Sequence, residues 1–255
     1  MNKNHNQKGR SLANRIGYHV IKRFWALKGY EFRIARTEQE IAGANKLRES
    51  IYSCAGYSSD LSDYHDKYDS HSVIFVCYYR NEMVGTLRLI DASSCPTFAQ
   101  FNVNLPEHVH IQETLELGGL AIERSHRGKG NAILIGMLNI AYSYSRANNV
   151  VWLLCLSGKR QYRLFKKISE SCEILEQHPP DPCHLKNHEL FKSCSEEQRG
   201  NSQAYVFDLT KVSYYQNIKR VAQKGFFKSK RKRNRKRSRS IALQGIRGQA
   251  TCLPT

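Results

Sequence analysis

The chain has 255 residues, 40% of them hydrophobic, enough for one sizeable core with appendages. Its formal net charge of +18 is unevenly spread: residues 1–28 hold seven Lys/Arg, residues 219–255 hold thirteen, and all 22 acidic residues lie between them. A near-neutral middle with basic ends excludes a nucleic-acid-binding core as the first expectation and favours ends that meet an anionic surface. Neither a secretory leader nor an apolar run of about eighteen residues is visible, so the eight scattered cysteines read as reduced thiols. The expected location is cytoplasmic, peripheral at most on the inner membrane face.

In chain order, "SLANRIGYHVIKRFWALKGY" predicts a basic amphipathic helix, with Leu12, Ile16, Val20, Phe24 and Leu27 at helical spacing. It fits a membrane surface or its own domain equally well. "YEFRIA" predicts a strand, and Glu38–Tyr52 a helix with Thr37 as N-cap. "SVIFVCYY" and "MVGTLRLI" predict a hairpin turning at Arg80–Glu82. A strand over Leu115–Ile122 and a helix over Asn131–Asn148 follow. "VVWLLCL" reads as a strand buried on both faces. A short helix near Arg160–Ile168, the strand "AYVFDL" and a helix over Lys211–Lys224 complete the series. From Lys228, "KSKRKRNRKRSRS" has no means of burying a core. The expected organisation is a basic N-terminal helix (1–28), a folded domain (29–218) and a basic tail (219–255). The fold class is α/β with a mixed sheet.

The segment "LELGGLAIERSHRGKGNAILIGML" contains two glycine breaks of different kinds. Leu115 and Leu117 share one face of a strand, whereas Leu120 and Ile122 are the apolar pair after Gly118–Gly119. Odd positions become even, which is what a β-bulge produces. A bulge frees backbone amides, and amides around Gly119, Leu120 and Ala121 beside Glu116 could form an oxyanion hole next to a general base. The second break, "RGKGNA", opens a helix; its N–H groups, with Arg127 and Lys129, suit a phosphate.

These residues resemble the GCN5-related N-acyltransferase (GNAT) superfamily, whose signature R/Q-x-x-G-x-G/A is filled by Arg127, Gly130 and Ala132 after "LAI". The resemblance implies a mostly antiparallel sheet with a bulged central strand splayed from its neighbour. It also implies that Ile122, Arg127, Gly128, Lys129, Gly130, Asn131 and Ala132 hold the phosphate of an acyl-phosphopantetheine donor, carried by coenzyme A or acyl carrier protein. No permanently bound cofactor is implied.

A second series narrows the resemblance. "LRESIY" (Arg48, Tyr52), "DKYD" (Asp66, Asp69), "VGTLRLI" (Arg88) and "LELGGLAI" (Glu116) follow the order of motifs in acyl-homoserine-lactone synthases and long-chain N-acyl amino acid synthases. It covers roughly residues 30–175. Those families carry Arg where this chain has Gly119; His71 and Arg88 are the candidates to compensate. What the resemblance implies is an N-acyltransferase that moves a fatty acyl chain from a carrier-protein or coenzyme A thioester to the amine of an amino acid or similar acceptor. Glu116 would be the base. Arg48, Tyr52, Asp66, Asp69 and Arg88 would line the acceptor side, or form a structural salt-bridge network. Lactone synthesis and a lyso-ornithine-lipid type of acylation are the alternatives within the class.

Other signals are weaker. Cys183, His184, His188 and Cys194 match no zinc module, so no metal is expected and the segment reads as a loop over the acceptor pocket. Cys155 reads as core. A basic tail can bind phosphate backbones, so a degenerate fold that binds nucleic acid is the alternative of another class. The run lacks interleaved aromatics and a recognition fold, so nucleic acid is not the expected partner. Acyl carrier protein is, together with an anionic membrane surface through residues 1–28 and 228–239.

Overall fold

The computed structural model describes residues 23, 25–55, 68–101, 103–127, 132–168, 171–177 and 202–210. Nearly all of residues 1–28, the 211–224 helix, the Cys/His segment and the basic tail lie outside the described residues.

Strand β1 (Tyr30–Ile34) leads to helix α1 (Glu38–Ser53). Thr37 caps this helix as predicted: its hydroxyl accepts from Glu40 N, and the Glu40 carboxylate accepts from Thr37 N, a capping box. β2 (Ser72–Tyr79) and β3 (Glu82–Asp91) form the expected hairpin. Its two-residue turn has Arg80 at φ 51° and Asn81 at φ 70°, both left-handed, as the twist of a tight hairpin requires. A short helix α2 (Pro96–Phe101) precedes β4 (Thr114–Ile122), which is followed by α3 (Ala132–Ala147), β5 (Trp152–Gly158) and α4 (Lys159–Ile168). β6 (Cys172–Ile174) and β7 (Ser202–Asp208) close the sheet.

The seven strands run in the order β1-β2-β3-β4-β5-β7-β6, and the only parallel pair among them is β4 with β5. Alternation sends the side chains to two cores. Phe75, Cys77, Leu87, Leu89, Leu117, Leu153 and Cys155 face α3 and α4 in the larger core. Ile74 and Val76 point the other way, against Ala44 of α1. Trp152 and Leu154 join Ile90, Cys95 and Val206 on that second face. β5 is thus buried on both sides, as its continuous apolar run predicts.

Both predicted features of β4 are present. Opposite β3, Thr86 pairs with Ala121 and Arg88 with Gly118, so Gly119 and Leu120 together face the single residue Leu87. Gly119 has φ +61°, the left-handed geometry that one class of bulge places on glycine. The phase change is real: Leu115, Leu117, Leu120 and Ile122 all pack on the same core. Pairing of β4 with β5 stops at Leu117↔Cys155, while β5 continues along β7 to Gly158↔Ser202. Beyond Leu117 the two parallel strands are splayed, leaving a gap between Gly118–Ile122 and Leu156–Gly158.

Candidate active site

Glu116 stands two residues before the bulge on the face of β4 opposite the larger core, and it is 4% exposed. Its Oε2 accepts a hydrogen bond from Thr97 N at 3.0 Å. That N–H belongs to the first turn of α2, where backbone donors have no partner within the helix. Its Oε1 lies 3.3 Å from where a Cβ on Gly118 would stand, beside the bulge. Burial pushes the Glu116 carboxyl above the ordinary range; the Cys95 thiol, Thr97 and the nearby Arg88 charge pull against that without reversing it. Cys95 is itself buried, and burial together with the Glu116 charge pushes its thiol up strongly. A buried carboxylate lifted by desolvation beside a bulge has the properties of a general base.

The second group is built from α1, the 3₁₀ turn Asp69–His71 and β3. The buried stripe of α1 is Ala44, Asn45 and Arg48, which is polar where helix packing calls for apolar residues. Asp69 receives two guanidiniums: Arg48 Nη2 on Oδ2 at 2.5 Å and Arg88 Nη1 on Oδ1 at 2.7 Å. Arg48 Nη2 also donates to Asn45 Oδ1. Arg48 is fully buried and Arg88 nearly so. The salt-bridge network weighed from the sequence is therefore present among Arg48, Asp69 and Arg88.

Gly119 joins the two groups. A Cβ there would stand 2.9 Å from Arg88 Cγ and 3.1 Å from Arg48 Nη1. The space that a side chain at 119 would use is filled by these two arginines, while His71 is exposed at the end of its turn. From α1, Tyr52 reaches the bulge and donates from its hydroxyl to Leu120 O at 3.4 Å. The backbone of Gly119, Leu120 and Ala121 lies beyond the last β4–β5 pair, on the open side of the strand.

At the end of β4, Arg127 Nε donates to Ile122 O at 2.7 Å, so the predicted phosphate contact is tethered to the strand from which the turn departs. Ala132 is the first residue of α3. Asp66, Gly128, Lys129, Gly130 and Asn131 lie outside the described residues. On α4, Phe165 is buried and stacked on Phe207, and Tyr162 packs edge-on to Tyr205.

Sequence reading missed Cys95, Thr97 and Asn45. Pro96 was the available signal for Thr97: proline favours the first helical position, which places the next residue's free N–H at a helix start. A cavity of about 310 Å³ bounded by Gly29, Tyr30, Phe32 and Arg80 shares no residue with either group. Among the described residues no cluster of three His, Cys, Asp or Glu is arranged to hold a metal ion. Among them, too, no helix is long and apolar enough to cross a membrane.

Comparison with known proteins bears on the family and the fold. A family model described as "N-acyl amino acid synthase FeeM" matches residues 43–184. Among solved structures, the acyl-homoserine lactone synthase LasI is 14% identical, covering 71% of this chain and 90% of its own, with a TM-score of 0.50. BjaI, a CoA-dependent acyl-homoserine lactone synthase solved with SAM and isopentyl-CoA, is 12% identical, covering 74% and 83%, with a TM-score of 0.51. FeeM itself, from uncultured soil microbes, is 12% identical over 71% and 91%, with a TM-score of 0.48. No curated protein sequence matches.

Proposed function

The chain belongs to the FeeM family of N-acyl amino acid synthases, with the fold of GNAT-type acyltransferases and N-acyltransfer as its activity, and from that premise we propose that it moves a fatty acyl chain from an acyl-phosphopantetheine thioester to the amine of an amino acid, with Glu116 as the base. The observation that carries this assignment is the buried Glu116 carboxyl, raised by desolvation, with Oε1 3.3 Å from the Cβ position of Gly118 at the bulge.

The thioester arm lies in the gap, its phosphate at the turn that follows β4. Amides of Gly119, Leu120 and Ala121 donate to the thioester oxygen as charge develops there. The acceptor amine attacks the carbonyl carbon, and Glu116 takes its proton. The C–S bond then breaks. A thiol titrates near pH ~8.5, so the thiolate leaves without an acid to protonate it first. Arg48, Tyr52, Asp69 and Arg88 form the acceptor side. The donor is borne by carrier protein or by coenzyme A. The basic segments 1–28 and 228–239 are assigned to an anionic membrane surface on their charge alone, a role that vesicle cosedimentation at low and high salt tests.

Mass spectrometry of lipid extracts from cells expressing the protein tests the activity. New N-acyl amino acids are expected, and they disappear in the Glu116→Gln variant. Purified variant turning over at the wild-type rate would remove Glu116 from the role.

A further inference from the structure

We propose that Tyr30 and His126 are positioning residues for the donor: together they fix the turn that presents Arg127 to the phosphate of the acyl-phosphopantetheine arm. The inference rests on the acyl-transfer reading above and gives a part in donor binding to two residues outside both groups of the candidate site.

Four strand ends meet at one edge of the sheet. Tyr30 at the start of β1 pairs with Tyr79 at the end of β2, and Gly85 near the start of β3 pairs with Ile122 at the end of β4. Past Ile122 the chain makes one more contact with β3, Glu123 N to Val84 O at 2.9 Å. It then passes through the 3₁₀ turn Arg124–His126 and arrives at Arg127. Arg124, Ser125 and Arg127 are exposed, whereas His126 is half-buried. The His126 ring is turned back onto the first two strands. Its Nδ1 and the Tyr30 hydroxyl form a 3.1 Å hydrogen bond across 96 residues of sequence. The imidazole stands edge-on to the Tyr30 ring at 5.8 Å and lies 4.9 Å from the Tyr79 ring, centre to centre. Tyr30 and Tyr79 are 4.8 Å apart, and Trp25 packs edge-on to Tyr30 at 6.2 Å.

The turn is poorly held by its own backbone. Its two bonds, His126 N to Glu123 O at 2.9 Å and Arg127 N to Arg124 O at 3.2 Å, are of the 3₁₀ kind, whose geometry is weak. The aromatic anchor supplies what a single 3₁₀ turn lacks. Arg127 is thereby tethered twice: through the ring of the preceding residue, and through its own Nε on Ile122 O at 2.7 Å. Its guanidinium makes no other hydrogen bond among the described residues, so the exposed Nη edge is left over. A guanidinium edge matches the oxygens of a phosphate. Ordering the turn before the donor arrives removes a cost that binding would otherwise carry. A phosphate held alike before and during the reaction contributes to KM rather than to kcat.

The test varies the donor's phosphate together with the anchor. Full-length protein receives one long-chain acyl group as the thioester of coenzyme A, of holo carrier protein and of pantetheine, which lacks the phosphate. The common amino acids serve as acceptors. Wild type is expected to favour a phosphate-bearing donor by on the order of tenfold in KM. Tyr30→Phe removes only the hydroxyl and is expected to raise KM for that donor about threefold, and His126→Ala about tenfold. In both, kcat at saturating donor is expected to stay at the wild-type value. His126→Gln, which can bond to the Tyr30 hydroxyl again, is expected to recover most of the loss. Turnover of the pantetheine thioester is expected to be the same in all three variants as in wild type. Variants shown folded by circular dichroism that keep the wild-type KM would overturn the anchor. So would a loss that appears in kcat, or one of equal size with and without the phosphate, as a merely structural role predicts. Should His126→Ala not fold, Tyr30→Phe decides by the same split. Wild type indifferent to the phosphate would overturn the phosphate contact of Arg127 and the anchor with it, and leave acyl transfer standing. Failure to acylate any amine from any of the three thioesters would overturn the acyl-transfer reading itself.

Discussion

Glu116 and Asp69 are two carboxylates brought to the same pair of glycines, and their surroundings are opposites. Asp69 is gripped by two guanidiniums, one on each oxygen. Glu116 has a single backbone hydrogen bond, a thiol for a neighbour and a more distant arginine charge, so desolvation prevails and its carboxyl is raised. One acid holds two chain segments together through an ion pair on each oxygen. The other has its carboxyl raised by burial, as suits a proton acceptor. The difference separates a scaffold carboxylate from a reactive one better than burial does, since Glu116 is the more buried of the two.

Exchanging each acid for its amide breaks this comparison most directly. Glu116→Gln is expected to lower the rate by on the order of 10²–10⁴-fold, measured with purified protein at saturating donor, with no loss of melting temperature. Its stability should also respond to pH with a definite sign. A carboxyl whose folded value is raised contributes stability that is fully present below the unfolded value and is lost as pH rises through the folded one. Wild type therefore loses this contribution on going from acid to neutral pH while Glu116→Gln does not, and the gap in melting temperature should widen in favour of the variant as pH rises. A gap that narrowed would mean that Glu116 is stabilised as the anion.

Asp69→Asn should do the reverse, costing about 3–5 kcal/mol by removing the charge partner of the fully buried Arg48. Chemical denaturation reads it, and a loss under about 1 kcal/mol would make the triad a surface-like pair instead. Gly119→Ala sharpens the boundary between the groups. It meets left-handed backbone and two arginine side chains, for a cost of roughly 1–3 kcal/mol, seen as a lower denaturant midpoint. Tyr52→Phe is the mildest change. Loss of a long hydrogen bond to Leu120 O predicts a cost of about 0.5–1 kcal/mol, with a few-fold lower rate if the bulge relaxes. An unchanged rate in that variant would detach α1 from the amides of the gap.

Much of this arrangement was legible before the structure because it rests on local rules. The β2–β3 hairpin follows from alternation around a tight turn. The bulge follows from four leucine and isoleucine positions changing parity. The near-continuous apolar run of β5 follows from burial on both faces. What escaped notice rests on tertiary contact alone. Residues 92–113 form short 3₁₀ and helical pieces with no sustained period, so nothing local indicated that Thr97 N would end on Glu116. β6 has three residues, too few for a pattern. The polar buried stripe of α1 escaped for the opposite reason: Asn45 and Arg48 resemble a solvated face until the strands they pack against are known. Motif order placed Arg48, Asp69, Arg88 and Glu116 in one site, but only geometry separated the gripped acid from the raised one.

The single parallel junction has a consequence for how the sheet opens. It divides the sheet into two antiparallel blocks, β1 to β4 and β5 to β6, stitched by four residue pairs from Thr114↔Trp152 to Leu117↔Cys155. In the first block the β2–β3 hairpin forms from local contacts, whereas the stitch must wait for the crossover through α3. The seam should therefore be the last part of the sheet to zip during folding and the first to loosen in the native state. Amide hydrogen exchange along Gly118–Ile122 should run faster than along Leu115–Leu117 of the same strand and should slow when a thioester arm fills the gap. The seam would then report donor occupancy without any turnover.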